Sequence, residues 1–122
     1  PPVLALREAG VTVFAGNDDI RDSWWPYGDG DMLERAMMVG YRSGFYTDDE
    51  LLCAFDLATA APAKVLGLAD YGVRVGASAD MIVLDADHAQ MAVVARPVRR
   101  EVYKAGRVVA RDGVFLGVQG KA

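Results

Sequence analysis

Asp18 and Asp19 stand side by side, and Trp24 and Trp25 follow them in one stretch, Gly16-Asn17-Asp18-Asp19-Ile20-Arg21-Asp22-Ser23-Trp24-Trp25-Pro26-Tyr27-Gly28. Adjacent carboxylates repel unless a cation or a hydrogen-bond donor sits between them. Such a pair can hold a divalent metal or take a proton in a reaction. An indole can lie against a flat ring. The plainer reading of the two acids is a solvated turn with an aspartate as helix cap. Their position after an apolar run points instead to metal binding or proton transfer for at least one of them. Consecutive indoles in a glycine-flanked loop are hard to bury on one face, so one is expected to wall a pocket.

The other chemistry-bearing residues have quieter readings. Gly28-Asp29-Gly30-Asp31 lacks the spacing of an EF-hand loop and reads as turn and cap. His88, the single histidine, follows Asp85-Ala86-Asp87 and is expected to be exposed and structural. Cys53 lies within an apolar helix face and is expected to pack. Met32, Met37 and Met38 fall at helical spacing, at or near the core. No Walker loop, G-x-G-x-x-G or C-x-x-C occurs.

The elements that must position the acidic pair follow from the apolar pattern. Val11 to Ala15 is a short apolar run ending in a polar loop, which reads as a buried strand with functional groups at its carboxyl end. Parallel α/β enzymes place their chemistry at that end. Before it, Pro1-Pro2, then Val3, Leu4, Leu6 and Ala9, then Gly10, predict a helix. A helix feeding a buried strand is the second half of a β-α-β unit, so a further strand is expected upstream of Pro1 and the chain reads as the carboxyl-terminal piece of something larger.

After the loop, Asp31 with Glu34 fits a capping-box variant. Leu33, Ala36, Met37, Gly40, Tyr41 and Gly44 give one buried helix face. Thr47 with Glu50 starts a helix through Leu51, Leu52, Ala54, Phe55 and Leu57. Thr59 is expected to cap a short helix with Pro62 in its first turn. Composition changes after Leu68. Tyr71 to Gly76 is a glycine-punctuated turn, Asp80 to Asp85 a strand, and His88 to Ala95 a short helix. Glu101 to Lys104 and Arg107 to Ala110 flank Ala105-Gly106, a hairpin signal. Two or three strands cannot bury both faces, so this part too is expected to need strands from elsewhere.

The chain's 122 residues could form one small domain, and an apolar fraction of 52% is ample for a core. A formal net charge of -4 argues against a nucleic-acid or anionic-membrane surface. No run reaches the roughly 18 apolar residues of a membrane span. The first residues lack the pattern of a signal peptide. With one cysteine and no intramolecular disulfide possible, a reducing, cytoplasmic setting is expected.

The stretch from Gly16 to Gly28 resembles the loop after the last barrel strand in cytosine deaminase and its relatives in the amidohydrolase superfamily. The family motif is an Asp-Asp pair, four intervening residues, then Trp and a nearby Pro. Ala58-Thr59-Ala60-Ala61-Pro62-Ala63-Lys64-Val65-Leu66-Gly67-Leu68 and Gly76-Ala77-Ser78-Ala79-Asp80-Met81-Ile82-Val83-Leu84-Asp85 resemble the superfamily more broadly, so the likeness covers essentially the whole chain. Asn17 stands where a histidine is common in cytosine deaminase, and Trp25 where a tyrosine is usual.

The resemblance implies an α/β fold: residues 1–68 as the last helix-strand-helix elements of a (β/α)8 barrel, residues 69–122 as carboxyl-terminal strands of a composite β-sandwich. It implies a mononuclear Zn or Fe hydrolase. Asp18 matches the metal-ligand aspartate that also takes a proton from bound water, Asp19 the acid that helps organise the substrate site, and Trp24 the tryptophan against the substrate ring. The other ligands implied are histidines, a His-x-His pair and two more, together with a ring-protonating glutamate. All are expected upstream, so this chain alone would not hold a complete site.

The function so implied is hydrolytic deamination of an amine-bearing heterocycle such as cytosine. Its partners would be that small molecule and the missing amino-terminal part of the barrel, in a homo-oligomer when complete, with no nucleic acid and no membrane. Two rivals stand beside it. One is a non-catalytic fragment serving as structural partner of a separate chain. The other is an amidohydrolase cleaving a related cyclic amide or an N-substituted triazine.

Overall fold

The helices start and stop where local chemistry requires it. In the computed structural model, which describes residues 1–117, α1 spans Val3–Glu8 and α2 spans Met32–Ser43. Asp31 caps α2 by accepting from the Leu33 and Glu34 N–H groups, and Gly44 ends it at φ +70°. Helix α3, Asp48–Leu57, begins at a complete capping box between Thr47 and Glu50. The Tyr46 and Thr47 N–H groups donate to the Glu50 carboxylate at 2.8 and 2.9 Å. Helix α4 is Ala60–Val65. Thr59 precedes it without capping: its hydroxyl donates back to the Phe55 carbonyl at 2.8 Å, so the expected cap is absent.

The second part is built on an antiparallel sheet of four strands in the order β1-β2-β3-β4, namely Met81–Leu84, Arg99–Lys104, Arg107–Arg111 and Val114–Phe115. Helix α5, Ala89–Ala95, connects β1 to β2. His88 is exposed and caps it, its Nδ1 accepting from the Met91 N–H at 3.3 Å. The Ala105-Gly106 hairpin forms as expected, with φ of +49° and +75°. Residues 118–122, the tail of the expected second unit, lie outside the described residues.

The core joins α2, α3 and α5. Leu33, Ala36, Phe45, Ala54 and Leu57 pack with Ala92 and Val93. Cys53 and Met37 border this cluster, as expected of packing residues. Small residues at Ala36, Gly40 and Ala54 let α2 and α3 approach closely: a Cβ on Gly40 would sit 3.5 Å from that of Ala54. Arg7 Nη1 donates to Asp56 Oδ2 at 2.6 Å, tying α1 to α3.

Two expectations need correction. Tyr41 is 86% exposed, because the buried face of α2 is narrower than the sequence rhythm suggests and ends at Leu33, Ala36 and Gly40. Val11 to Ala15 forms no ladder with another strand of the described chain. Val11 and Phe14 are about half exposed, and only Ala15 is buried, donating its N–H to the Leu57 carbonyl at 2.8 Å. A strand is stabilised by pairing along its edges, and no described segment lies alongside this one.

Candidate functional site

The loop of residues 16–31 leaves the core at Ala15 and rejoins it at α2. Between these points the chain runs on the surface, and Asp18, Asp19 and Trp24 are all exposed. Trp24 is 90% exposed, so it contributes nothing to the core described above.

Side chains, not a backbone ladder, hold this loop. At its start, Asn17 Oδ1 accepts from Arg35 Nε, while its Nδ2 faces Met32 Sδ at 3.1 Å. Both partners belong to α2. Across the middle, Arg21 Nε donates to the Gly28 carbonyl at 2.6 Å. A Cβ on Gly28 would lie 1.9 Å from the Ile20 carbonyl oxygen, so only glycine fits. At the tip, Asp22 Oδ1 accepts from the N–H groups of Trp24 and Trp25 at 2.7 and 2.6 Å, a turn that an aspartate side chain builds on its own backbone. The Trp25 and Tyr27 rings meet edge to face, centroids 5.6 Å apart.

The far end of the loop is tied to both parts of the molecule. Asp29 Oδ1 accepts from the Asp31 N–H at 2.8 Å. Asp31, besides capping α2, receives the Arg99 guanidinium as a fork, Nη1 on Oδ2 at 2.6 Å and Nη2 on Oδ1. Burial pushes the Asp31 carboxyl up. Arg99 and the Leu33 and Glu34 N–H groups outweigh burial and hold it below the usual aspartate range.

Asp18 itself has φ +57°. The other non-glycine residues with positive φ, Arg96, Ala105 and Asp112, end a helix or turn a hairpin. Asp18 does neither. Aspartate enters left-handed backbone more readily than most non-glycine residues, but such residues away from turns and helix ends collect at functional sites. Among the described residues no hydrogen bond or ion pair restrains the carboxylate of Asp18 or Asp19.

The structure keeps Asp18, Asp19 and Trp24 on one loop but gathers them into no cleft. A concavity of about 310 Å³ lies by Arg7, Val13, Asp56 and Lys64, and one of about 600 Å³ lies between helices and sheet by Leu33, Phe55, Met81 and Tyr103. Neither includes the three. Among the described residues no group of three or more His, Cys, Asp or Glu is arranged to hold a metal ion. The donor set here is one loop's carboxylates, which suits one ligand of a larger set. Arg35 and Arg99 were missed by sequence reasoning. Their partners lie 18 and 68 residues away, so no local spacing signals them.

A model of the amidohydrolase family matches residues 1–110. The N-isopropylammelide isopropyl amidohydrolase of Pseudomonas sp. (strain ADP) is 36% identical over 116 residues, which are 94% of this chain and 29% of that protein. Among solved structures, N-isopropylammelide isopropylaminohydrolase from Burkholderia multivorans matches with a TM-score of 0.90 and 50% identity, over 95% of this chain and 30% of that one. The 5-methylcytosine deaminase from Klebsiella pneumoniae, liganded with phosphonocytosine, matches with a TM-score of 0.83 and 28% identity, over 96% and 29%. The chain thus spans about 30% of the length of these relatives.

Proposed function

This chain belongs to the amidohydrolase family, and from that premise we propose that the whole protein hydrolyses a C–N bond on a small amine-bearing heterocycle. In this reading residues 1–68 are the closing elements of a (β/α)8 barrel and residues 69–122 belong to a β-sandwich domain. The single observation that carries the reading is Asp18. It is an exposed carboxylate at φ +57°, with no hydrogen bond or ion pair of its own among the described residues, on a loop held by the side chains of Asn17, Arg21 and Asp22.

Asp18 would be the one metal ligand this chain contributes, to a Zn or Fe ion whose other ligands lie in the remainder of the protein. A bound divalent ion lowers the pKa of its water to about 7, which supplies a nucleophile at neutral pH. Asp18 would accept the proton that this water gives up and pass it to the leaving amine. Asp19 would orient the substrate, and Trp24 would lie against its ring.

The comparison favours a substituted amine as leaving group. Identity is 50% to the Burkholderia N-isopropylammelide enzyme and 28% to the Klebsiella 5-methylcytosine deaminase. An N-alkylated triazine is therefore a better supported substrate than cytosine. The test is a panel on the metal-loaded whole protein: N-isopropylammelide, cytosine and 5-methylcytosine, with released isopropylamine and ammonia measured separately. Turnover of the first with release of isopropylamine is expected. Turnover of cytosine alone would move the substrate to the deaminase side. No turnover on a broad panel, together with a metal-free protein, would leave the structural-partner reading.

A further inference from the structure

Helix α2 does more than follow the acidic loop; it grips the residue before Asp18. Arg35 sits one turn into that helix, and its Nε donates to Asn17 Oδ1. Its Nη1 lies 3.4 Å from Met38 Sδ, which steadies the far end of the guanidinium on its own helix. An added Cβ on Gly28 would come within 3.2 Å of Arg35 Nη2, so the same guanidinium borders the point where the loop closes on itself. Asn17 is in turn held on its other side by Met32 Sδ. All five of these residues are half-buried or buried, while Asp18 next door is exposed.

We propose that Arg35 is a positioning residue for Asp18, acting through Asn17. The proposal rests on the reading of Asp18 as metal ligand and proton acceptor. The physical reason is the backbone of Asp18. A left-handed conformation at a non-glycine residue relaxes unless its neighbours prevent it. On the amino-terminal side the restraint visible is the Asn17 side chain, clamped from α2. Releasing the clamp lets the Asp18 carboxylate move, and misplacement by about 1 Å can cost on the order of 100-fold in rate.

The test uses the whole protein and four variants. Arg35→Met keeps the length of the stem and removes the donor. Arg35→Gln places an amide nitrogen where Nε lies and removes the charge. Asn17→Ala removes the acceptor, and Asp18→Asn reports on the underlying reading. Arg35→Met and Asn17→Ala are each expected to lower kcat by about 10–100-fold, the range seen when a residue behind a metal ligand is lost, with KM changed less than threefold. Their combination is expected to be no worse than either alone, and Arg35→Gln is expected to recover most of the loss. In the metal-free protein, amide exchange across residues 16–22 is expected to quicken in Arg35→Met and not in Arg35→Gln. Full kcat in Arg35→Met beside an inactive Asp18→Asn would overturn the clamp and leave the ligand reading standing. Full kcat in Asp18→Asn would overturn both. Should Arg35→Met fail to fold, Asn17→Ala decides, because Asn17 lies outside every helix: unchanged exchange and unchanged kcat there would overturn the proposal.

Discussion

Two aspartates in this molecule share a left-handed backbone and little else. Asp112, at φ +48°, precedes Gly113 in the two-residue turn between β3 and β4, and its N–H donates to the Arg100 carbonyl at 3.0 Å. Asp18, at φ +57°, has no ladder on either side. At Asp112 the strain is repaid locally, by the strand pairing that the turn permits. Around Asp18 no strand pairing does so; the residues that flank it are held instead, Asn17 by Arg35, Arg21 by the Gly28 carbonyl and the start of α2 by Asp31. A turn that closes a hairpin explains itself. A left-handed residue outside any hairpin or helix end, with its own carboxylate unengaged, fits the metal-ligand role proposed for Asp18.

The largest effect tests that contrast directly. Asp18→Asn in the whole protein keeps the size and the tolerance of left-handed backbone but removes the charge and the proton acceptor. Turnover is expected to fall to background and metal content to drop, as read by steady-state rates and elemental analysis. Asp112→Asn is expected to leave turnover intact, since asparagine suits a left-handed turn. Equal activity in both variants would erase the distinction between the two aspartates.

Gly28→Ala should come next. The new methyl group would meet the Ile20 carbonyl, which is backbone and cannot swing away. The loop must open to admit it, and activity is expected to fall more than about tenfold, with a smaller change in melting temperature because the loop lies outside the core. Gly106→Ala reverses that weighting. Its site is roomier, with only Ala79 Cβ near at 3.8 Å, but its φ of +75° disfavours any side chain. Stability is expected to fall by about 1 kcal/mol, with turnover unaffected.

The Asp31–Arg99 pair joins the loop to the sheet and gives an effect of intermediate size. Asp31→Ala removes a helix cap, worth about 0.5–2 kcal/mol, and leaves Arg99 without its partner. The pH dependence has a definite sign. The folded carboxyl is held below its unfolded value of about 3.9, so its contribution is complete above that value. It is lost as the pH falls through the depressed folded value. Thermal melts from pH 6 downward should show the wild type losing an increment of stability at acid pH that Asp31→Asn lacks. Parallel curves would remove the pair from the account.

Legibility in the sequence follows the same division. The Thr47–Glu50 capping box, the Asp31 cap and the Ala105-Gly106 hairpin are contacts across a few residues, and short-range patterns found them. β4 went unread because two residues carry no pattern, although Asp112-Gly113 is a turn signal. Val11 to Ala15 reads as a strand from its apolar run, yet strand pairing depends on a neighbour that a local pattern cannot supply. In the loop, Asp18, Asp19 and Trp24 stand out by residue type and by family resemblance. Asn17 stands out only as a departure from that resemblance. Its bond to Arg35, like that of Asp31 to Arg99, spans positions that no periodicity relates.

Trp24 gives the smallest effect on the fold and the most specific one on binding. Phe45, 7% exposed in the core, and Trp24, 90% exposed on the loop, are two aromatics in opposite settings. Phe45→Ala should cost about 3–5 kcal/mol of stability, as core aromatic truncations do. Trp24→Ala should cost less than about 0.5 kcal/mol, because nothing packs on a residue so exposed. If the indole meets a heterocycle in the whole protein, the same change should weaken substrate binding by about 1–3 kcal/mol, the scale of aromatic–base stacking. Metal content should not move, since an indole is no ligand. Measuring KM, metal content and melting temperature on one preparation separates the outcomes. A Trp24→Ala protein with lower stability and unaltered KM would place the indole at an interface with the rest of the whole protein. A raised KM with an unaltered melt is the result that the loop's architecture predicts.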